Sequence, residues 1–311
     1  MHTTMKRLIL LLALVVSAVA GSAQQELMVS QYMFNGLLLN PAYAGSHPYF
    51  STSLLHRSQW VQFDNAPTTQ VFALDGPVAN DKMGIGLLVT NDQHGIIRQL
   101  NVGLNGAYRM QLGAGNLALG LKVGFSSYTA DLAAVTIWDE DDAVYSFNNI
   151  NGEFVTQFGF GIYYHTDKWF AGLSIPTFES LDNNILLETS TLEKYFARHF
   201  YANAGYVFEP NSSLKIKPSF LVKYEQAAPV EVDLNCNFLL YERLWLGAGY
   251  RTGDAVVGML EYNITPQLRA GYAYDYTLTD IANYSSGSHE IMLGFDFGRD
   301  VGIKTRSPRY F

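Results

Sequence analysis

Between residues 230 and 240 the chain alternates apolar and polar side chains almost without a break. Val230, Val232, Leu234, Cys236, Phe238 and Leu240 fall on one side, and Glu231, Asp233, Asn235 and Asn237 on the other. Successive residues of a strand point to opposite faces, so this is a strand with one oily and one wet face. The same rhythm recurs at 100–110, 117–126, 154–164, 268–276 and 289–297. In all, about 14 strands are expected, at 49–60, 68–77, 82–92, 97–110, 115–127, 154–165, 168–175, 197–209, 213–225, 230–241, 243–251, 255–264, 267–277 and 287–297. The segments 68–77 and 168–175 alternate least cleanly, which leaves 12 strands as the alternative. Most spans are near the roughly 9–11 residues that a tilted membrane strand requires.

Connection lengths carry a separate signal. The long connections (61–67, 128–153, 176–196 and 278–286) all follow odd-numbered strands, and the tight ones (78–81, 111–114, 210–212, Glu242 and 265–266) all follow even-numbered ones. Outer-membrane barrels sort their loops in this way, with short periplasmic turns and long external loops. A soluble sandwich has no reason to. The expected fold is therefore an all-β, antiparallel, up-and-down transmembrane barrel over 49–297, with lipid outside and water or a plug inside.

The chain opens like an export signal, with Lys6 and Arg7 followed by an apolar run from Leu8 to Val19 and the small residues Gly21, Ser22 and Ala23. Twelve apolar residues are too few for a membrane-spanning helix, which needs about 20. Residues 1–23 are expected to be removed, leaving Gln24 first; 311 less 23 leaves 288 residues. Losing Lys6 and Arg7 takes the net charge from −8 to −10, which argues against nucleic acid as a partner. Charged residues are 15% of the chain, against about 25% in soluble domains, and there are 20 Tyr and 19 Phe. Both fit a surface facing lipid between aromatic girdles. Residues 24–48 precede the first strand and are expected to form a plug or a periplasmic segment, and 298–311 a C-terminal tail in which Phe311 competes with Phe297 as the assembly aromatic. The N-terminus is expected to be periplasmic.

No constellation for catalysis, cofactor or metal stands out. Ser288, His289 and Glu290 adjoin in sequence, but strand geometry turns His289 away from the other two. The acidic run Asp139, Glu140, Asp141 and Asp142 follows Trp138 in the longest external loop. It lacks the spacing of a calcium loop and is a weak candidate for contact with cargo or an ion. Glu231, Asp233, Asn235 and Asn237 are candidate lumen lining. Cys236 is the sole cysteine, so no internal disulfide can form.

Several motifs are spread from the start of the mature chain to its end. They are Gln31–Asn35 with Asn40, Pro41, Ala42, Tyr43 and Gly45; Arg57, Gln59 and Trp60 with Pro67; Leu74–Pro77; Gly84–Leu87 with Asn91, Asp92 and Gly95; Gly271–Tyr276, which contains Asp275; Gly287, Ser288, His289 and Glu290; and Ser307–Phe311. In this order and spacing the chain resembles the PorP/SprF family of Bacteroidota outer-membrane proteins, associated with the type IX secretion system. The resemblance implies a non-catalytic barrel that binds, helps export or anchors a secreted surface protein with a type IX C-terminal targeting domain, alongside other secretion components in the bilayer. In plain structural terms, Asn40-Pro41 ends a helix-like stretch, Trp60 suits an interfacial strand end and Gly287 allows a turn into the last strand. The early Asn-Pro-Ala is also similar to FadL-like barrels, whose N-terminal segment plugs the lumen. That similarity supplies the alternative function, transport of hydrophobic small molecules.

Overall fold

The computed structural model describes residues 28–79, 81–131, 150–182, 199–225 and 228–297. The expected signal peptide, the tail 298–311 with Phe311, the run Trp138–Asp142 and most of 176–196 lie outside these residues.

Fifteen strand segments form one antiparallel sheet: β1 (Phe50–Ser58), β2 (Thr68–Val78), β3 (Met83–His94), β4 (Ile97–Leu112), β5 (Gly115–Ala130), β6 (Ile150–His165), β7 (Trp169–Asp182), β8 (His199–Tyr206), β9 (Phe208–Asn211), β10 (Leu214–Glu225), β11 (Glu231–Leu240), β12 (Leu244–Arg251), β13 (Ala255–Asn263), β14 (Leu268–Thr277) and β15 (Ser288–Phe297). β8 and β9 both pair with β10 and are one strand interrupted at Val207, so the barrel has 14 strands. Its seam closes where β1 pairs with β15, from Phe50 opposite Phe297 to Ser58 opposite His289. Closure joins the first strand to the last, which is what allows a sheet to sit in lipid without an open edge.

The alternation is physical. Leu54, Leu104, Leu121, Leu173, Leu260 and Leu293 are exposed and form an aliphatic band. Exposed Phe125, Phe154, Tyr250 and Tyr276 flank it at one end, and Tyr108, Trp169, Tyr241 and Phe297 at the other. Such a surface would drive aggregation in water and is stable only against lipid. Cys236 lies on this outer side and is free.

Two details depart from expectation. β7 runs past Pro176 to Asp182 instead of stopping at 175. Proline cannot donate to a ladder, and the pairing with β6 is irregular between Phe158 and Phe160 to accommodate it. The lumen face is also less polar than the alternation suggested: Leu55, Val71, Leu88, Leu221, Met259 and Met292 point inward and are buried.

These inward apolar residues have partners because residues 28–47 lie inside the barrel. Tyr32, Met33, Leu37, Leu39, Ala42 and Tyr43 join them in one core cluster. The segment is a succession of 3₁₀ turns, Tyr32–Phe34, Gly36–Leu38 and Pro41–Tyr43, rather than the helix-like stretch its composition suggested. It begins among strand residues at the end from which the long connections 59–67, 131–149, 183–198 and 278–287 leave. It finishes at the opposite end, where β1 starts and the turns are short.

Candidate functional site: the filled lumen

At the long-loop end, Ser30 and Gln31 sit in a buried ionic network. The Ser30 N–H donates to Glu290 Oε1 (2.5 Å) and the Gln31 N–H to Glu290 Oε2 (3.0 Å). The Ser30 hydroxyl donates to Asp275 at 2.7 Å. Arg57 Nη1 bridges both acids, 2.9 Å from Asp275 and 2.6 Å from Glu290. Arg251 lies 3.1 Å from Asp233, 3.0 Å from Asp254 and 3.4 Å from Asp275, and its Nη2 donates to Ser30 Oγ (3.2 Å). Lys223 extends the chain of charges to Glu231 (2.7 Å) and Asp233 (3.4 Å). Arg57, Arg251, Asp275 and Glu290 are each at most 2% exposed. A buried carboxylate is tolerable only when opposite charge and hydrogen bonds replace its water, and each of these acids has both.

Midway down, Asn235 donates to the Tyr32 hydroxyl (2.6 Å) and Asn35 to Ser53 (2.9 Å). Lower still, a side-chain cap is joined by close packing. The Asn40 side chain accepts from the Ala42 N–H (2.9 Å), capping the 3₁₀ turn that Pro41 opens, and donates to the Ile162 carbonyl (2.9 Å). Gly161 lies directly against Asn40, Gly120 against Pro41 and Ala42, and Gly84 against Ala44 and Gly45. A Cβ on Gly120 would lie 2.1 Å from the Ala42 nitrogen, and one on Gly84 1.9 Å from the Ala44 oxygen. These lumen-facing glycines are thus the contact surface of the segment. Gly45 takes φ +66° and donates its N–H to Asp75 (2.8 Å), and Tyr43 packs edge-on against Tyr163. A second ion cluster, Arg269 with Asp296 (2.5 Å) and Ser51, supports the seam below.

The remaining sequence motifs have clear places. Gln59 N–H bonds the Pro67 carbonyl (2.9 Å), closing the β1–β2 loop on itself. Trp60 N–H bonds Ser288 Oγ (3.1 Å), and Val61 N–H bonds the Gly287 carbonyl (2.8 Å), which pins that loop to the start of β15. Gly287 has φ +88°, and a Cβ there would meet the Asp275 carbonyl at 2.6 Å. His289 faces outward and bonds the Tyr272 hydroxyl (2.7 Å), apart from Ser288 and Glu290. Asp233, Asn235 and Asn237 are buried on the inner face and Glu231 is partly buried. Asn237 is not part of the ionic network; it lies lower, near Lys217, whose ammonium stands 5.7 Å from the Trp245 ring. Among the described residues no cluster of His, Cys, Asp or Glu is arranged to hold a metal.

Thus Arg57 meets Asp275 and Glu290, each more than 200 residues away in sequence, at Ser30, and Asn40–Gly45 seat on inward glycines. Sequence reasoning missed Ser30 and Arg251, and held Asp75 only as part of the Leu74–Pro77 motif. Arg251 had a readable signal, as the single charge ending a strand that is otherwise apolar or glycine. Ser30 had none.

The family model for the type IX secretion system membrane protein PorP/SprF matches residues 21–295. The chain belongs to the PorP/SprF family. No curated protein matches it in sequence. Among solved structures it is similar to the Acinetobacter baumannii outer membrane protein Omp33, with 10% identity, TM-score 0.49, and 81% of this chain and 100% of that one covered. It is similar also to a Pseudomonas aeruginosa FadL homologue, with 12% identity, TM-score 0.40, and 80% and 89% covered. Likenesses this distant leave the barrel to rest on its own strand pairing. PorP/SprF membership makes this an outer-membrane barrel associated with type IX secretion, and it is in that family that the charge network and the glycine-seated segment now have to be understood.

Proposed function

We propose that this PorP/SprF barrel is a non-catalytic binding partner for a type IX secreted surface protein, which it helps export or anchors at its long-loop mouth. The supporting observation is the lumen itself. It is occupied from one end to the other by residues 28–47, held by a buried ionic network above and by close packing below. A cavity of about 30 Å³ among the described residues, lined by Tyr32, Leu39, Tyr163, Asn203 and Lys217, has room for a water or two. A filled barrel does not pass solutes, and it presents a fixed rim on which loops can hold a protein. The partner under this reading is cargo with a type IX C-terminal targeting domain; the short-turn end, where β1 begins, faces the periplasm.

Transport of hydrophobic small molecules needs an apolar path through the wall or lumen, and the buried ions around Arg57 and Arg251 oppose one. Two measurements test the proposal. The purified barrel in planar bilayers should show no steady conductance, and its isolation from native membranes should bring down a secreted protein with a type IX targeting domain. Free passage of small solutes, or recovery of no such protein, would overturn it.

A further inference from the structure

We infer that the mature N-terminus opens at the long-loop mouth, on the cell-surface side, in place of the periplasmic terminus the sequence suggested. The surface sidedness rests on the proposed orientation; the placement relative to the loops does not. Ser30 bonds residues that all lie within three positions of a long-loop strand end: Arg57 in β1, Arg251 in β12, Asp275 in β14 and Glu290 in β15. At the other end of the barrel, Gly45 bonds Asp75, Arg109 donates to the Ala44 carbonyl (3.3 Å), and the chain passes straight into β1 at Phe50. The segment therefore runs down the lumen, from the loop end to the turn end, and only then begins the first strand.

The polarity constrains everything upstream. With cleavage after Ala23, Gln24 is six residues from Ser30, so its reach from Ser30 is at most about 21 Å. To come out at the turn end, those residues would have to pass back through a lumen already filled by Tyr32, Met33, Leu37, Tyr43 and their wall partners. The open direction is the loop mouth. That mouth carries the β1–β2 loop, which is fixed to the start of β15 through Val61, Ser286 and Gly287 but exposes Gln62, Phe63, Asp64 and Asn65. A secreted partner seated on the loops thus meets the first residues of the mature chain.

Membrane-impermeant thiol labelling of intact cells tests this. Cys236→Ser removes the only native thiol, and Glu26→Cys then places one near the mature N-terminus. Tyr284→Cys in the β14–β15 loop reports the surface, and Ala114→Cys in the β4–β5 turn reports the opposite end. Heat-modifiable mobility on gels identifies variants that form the barrel. Labelling at positions 26 and 284 in intact cells, and at 114 only after lysis, is expected. If position 284 labels and 26 is protected in intact cells, whether or not lysis exposes it, the inference fails. Labelling of 114 but not 284 in intact cells would instead invert the proposed orientation, and the N-terminal placement would then stand or fall on whether 26 labels with 284 after lysis. Cargo capture is read separately, so the functional proposal can fail while this one holds.

Discussion

The two ends of the interior segment are held by different physics. At the loop end, Ser30 and Gln31 are gripped by charges that come from four strands, and the contacts are directional and charge-assisted. At the turn end, Asn40 to Gly45 are held by shape: backbone lies against glycines with no room for even a methyl group. Charge-assisted bonds are strong in a dry site but depend on every partner being present. Close packing has no single partner to lose, yet it cannot absorb an added atom. The same segment is therefore vulnerable to deletion at its top and to insertion at its bottom.

The largest expected effect is at the packed end. Gly120→Val puts a side chain into the Ala42 backbone and should expel the segment. The variant should conduct in planar bilayers and lose protection of residues 28–47 from proteinase K in detergent. Gly106→Val, at an outward glycine with nothing within 4 Å, should do neither. If both variants stay closed, the packed contact is not what fills the lumen.

Next comes the charged end. Arg57→Ala leaves Asp275 and Glu290 short of a cation and should cost about 3–5 kcal/mol in a denaturant titration of the folded barrel. Adding Glu290→Gln should restore part of the loss, because less uncompensated charge is then buried. No coupling in that double-mutant cycle would show that the network does not act as a unit. Asn40→Ala removes a cap and a bond to the wall, and a loss of about 1–2 kcal/mol is expected by the same titration. The smallest effect is expected at Lys217. It is buried, touches Trp245 and has no hydrogen bond from the described residues, so Lys217→Met should change stability by roughly 1 kcal/mol or less in either direction. A loss as large as that of Arg57→Ala would place Lys217 in a network of its own.

The barrel was legible because membrane strands must obey a period of two and because loop lengths sort by side. Every one of the fourteen strands lies where alternation put it, and the largest error is at Pro176, where β7 continues to Asp182 past the expected end at 175 because an irregular pairing with β6 accommodates the proline. Within the site, inward charges such as Asp233, Asp275 and Glu290 could be assigned a face. Their grouping could not be read, because each strand reports only its own alternation and not which residues across the lumen stand level. The inward Leu55, Leu88 and Met292 broke the expected polar lining for the same reason: their partners come from a segment with no alternation.

By itself the sequence determined the strands, their facing, the sorting of loops to two ends and a family resemblance that spans the chain, since all of these are local or additive properties. Tertiary structure alone decided what lies inside. Residues 28–47 contain too few charges to announce an ionic network and too little periodicity to announce a direction. Only the closed wall, which brings Arg57, Arg251, Asp275 and Glu290 level with Ser30 and lays Gly84, Gly120 and Gly161 along the path below, fixes where the segment sits and which way it runs.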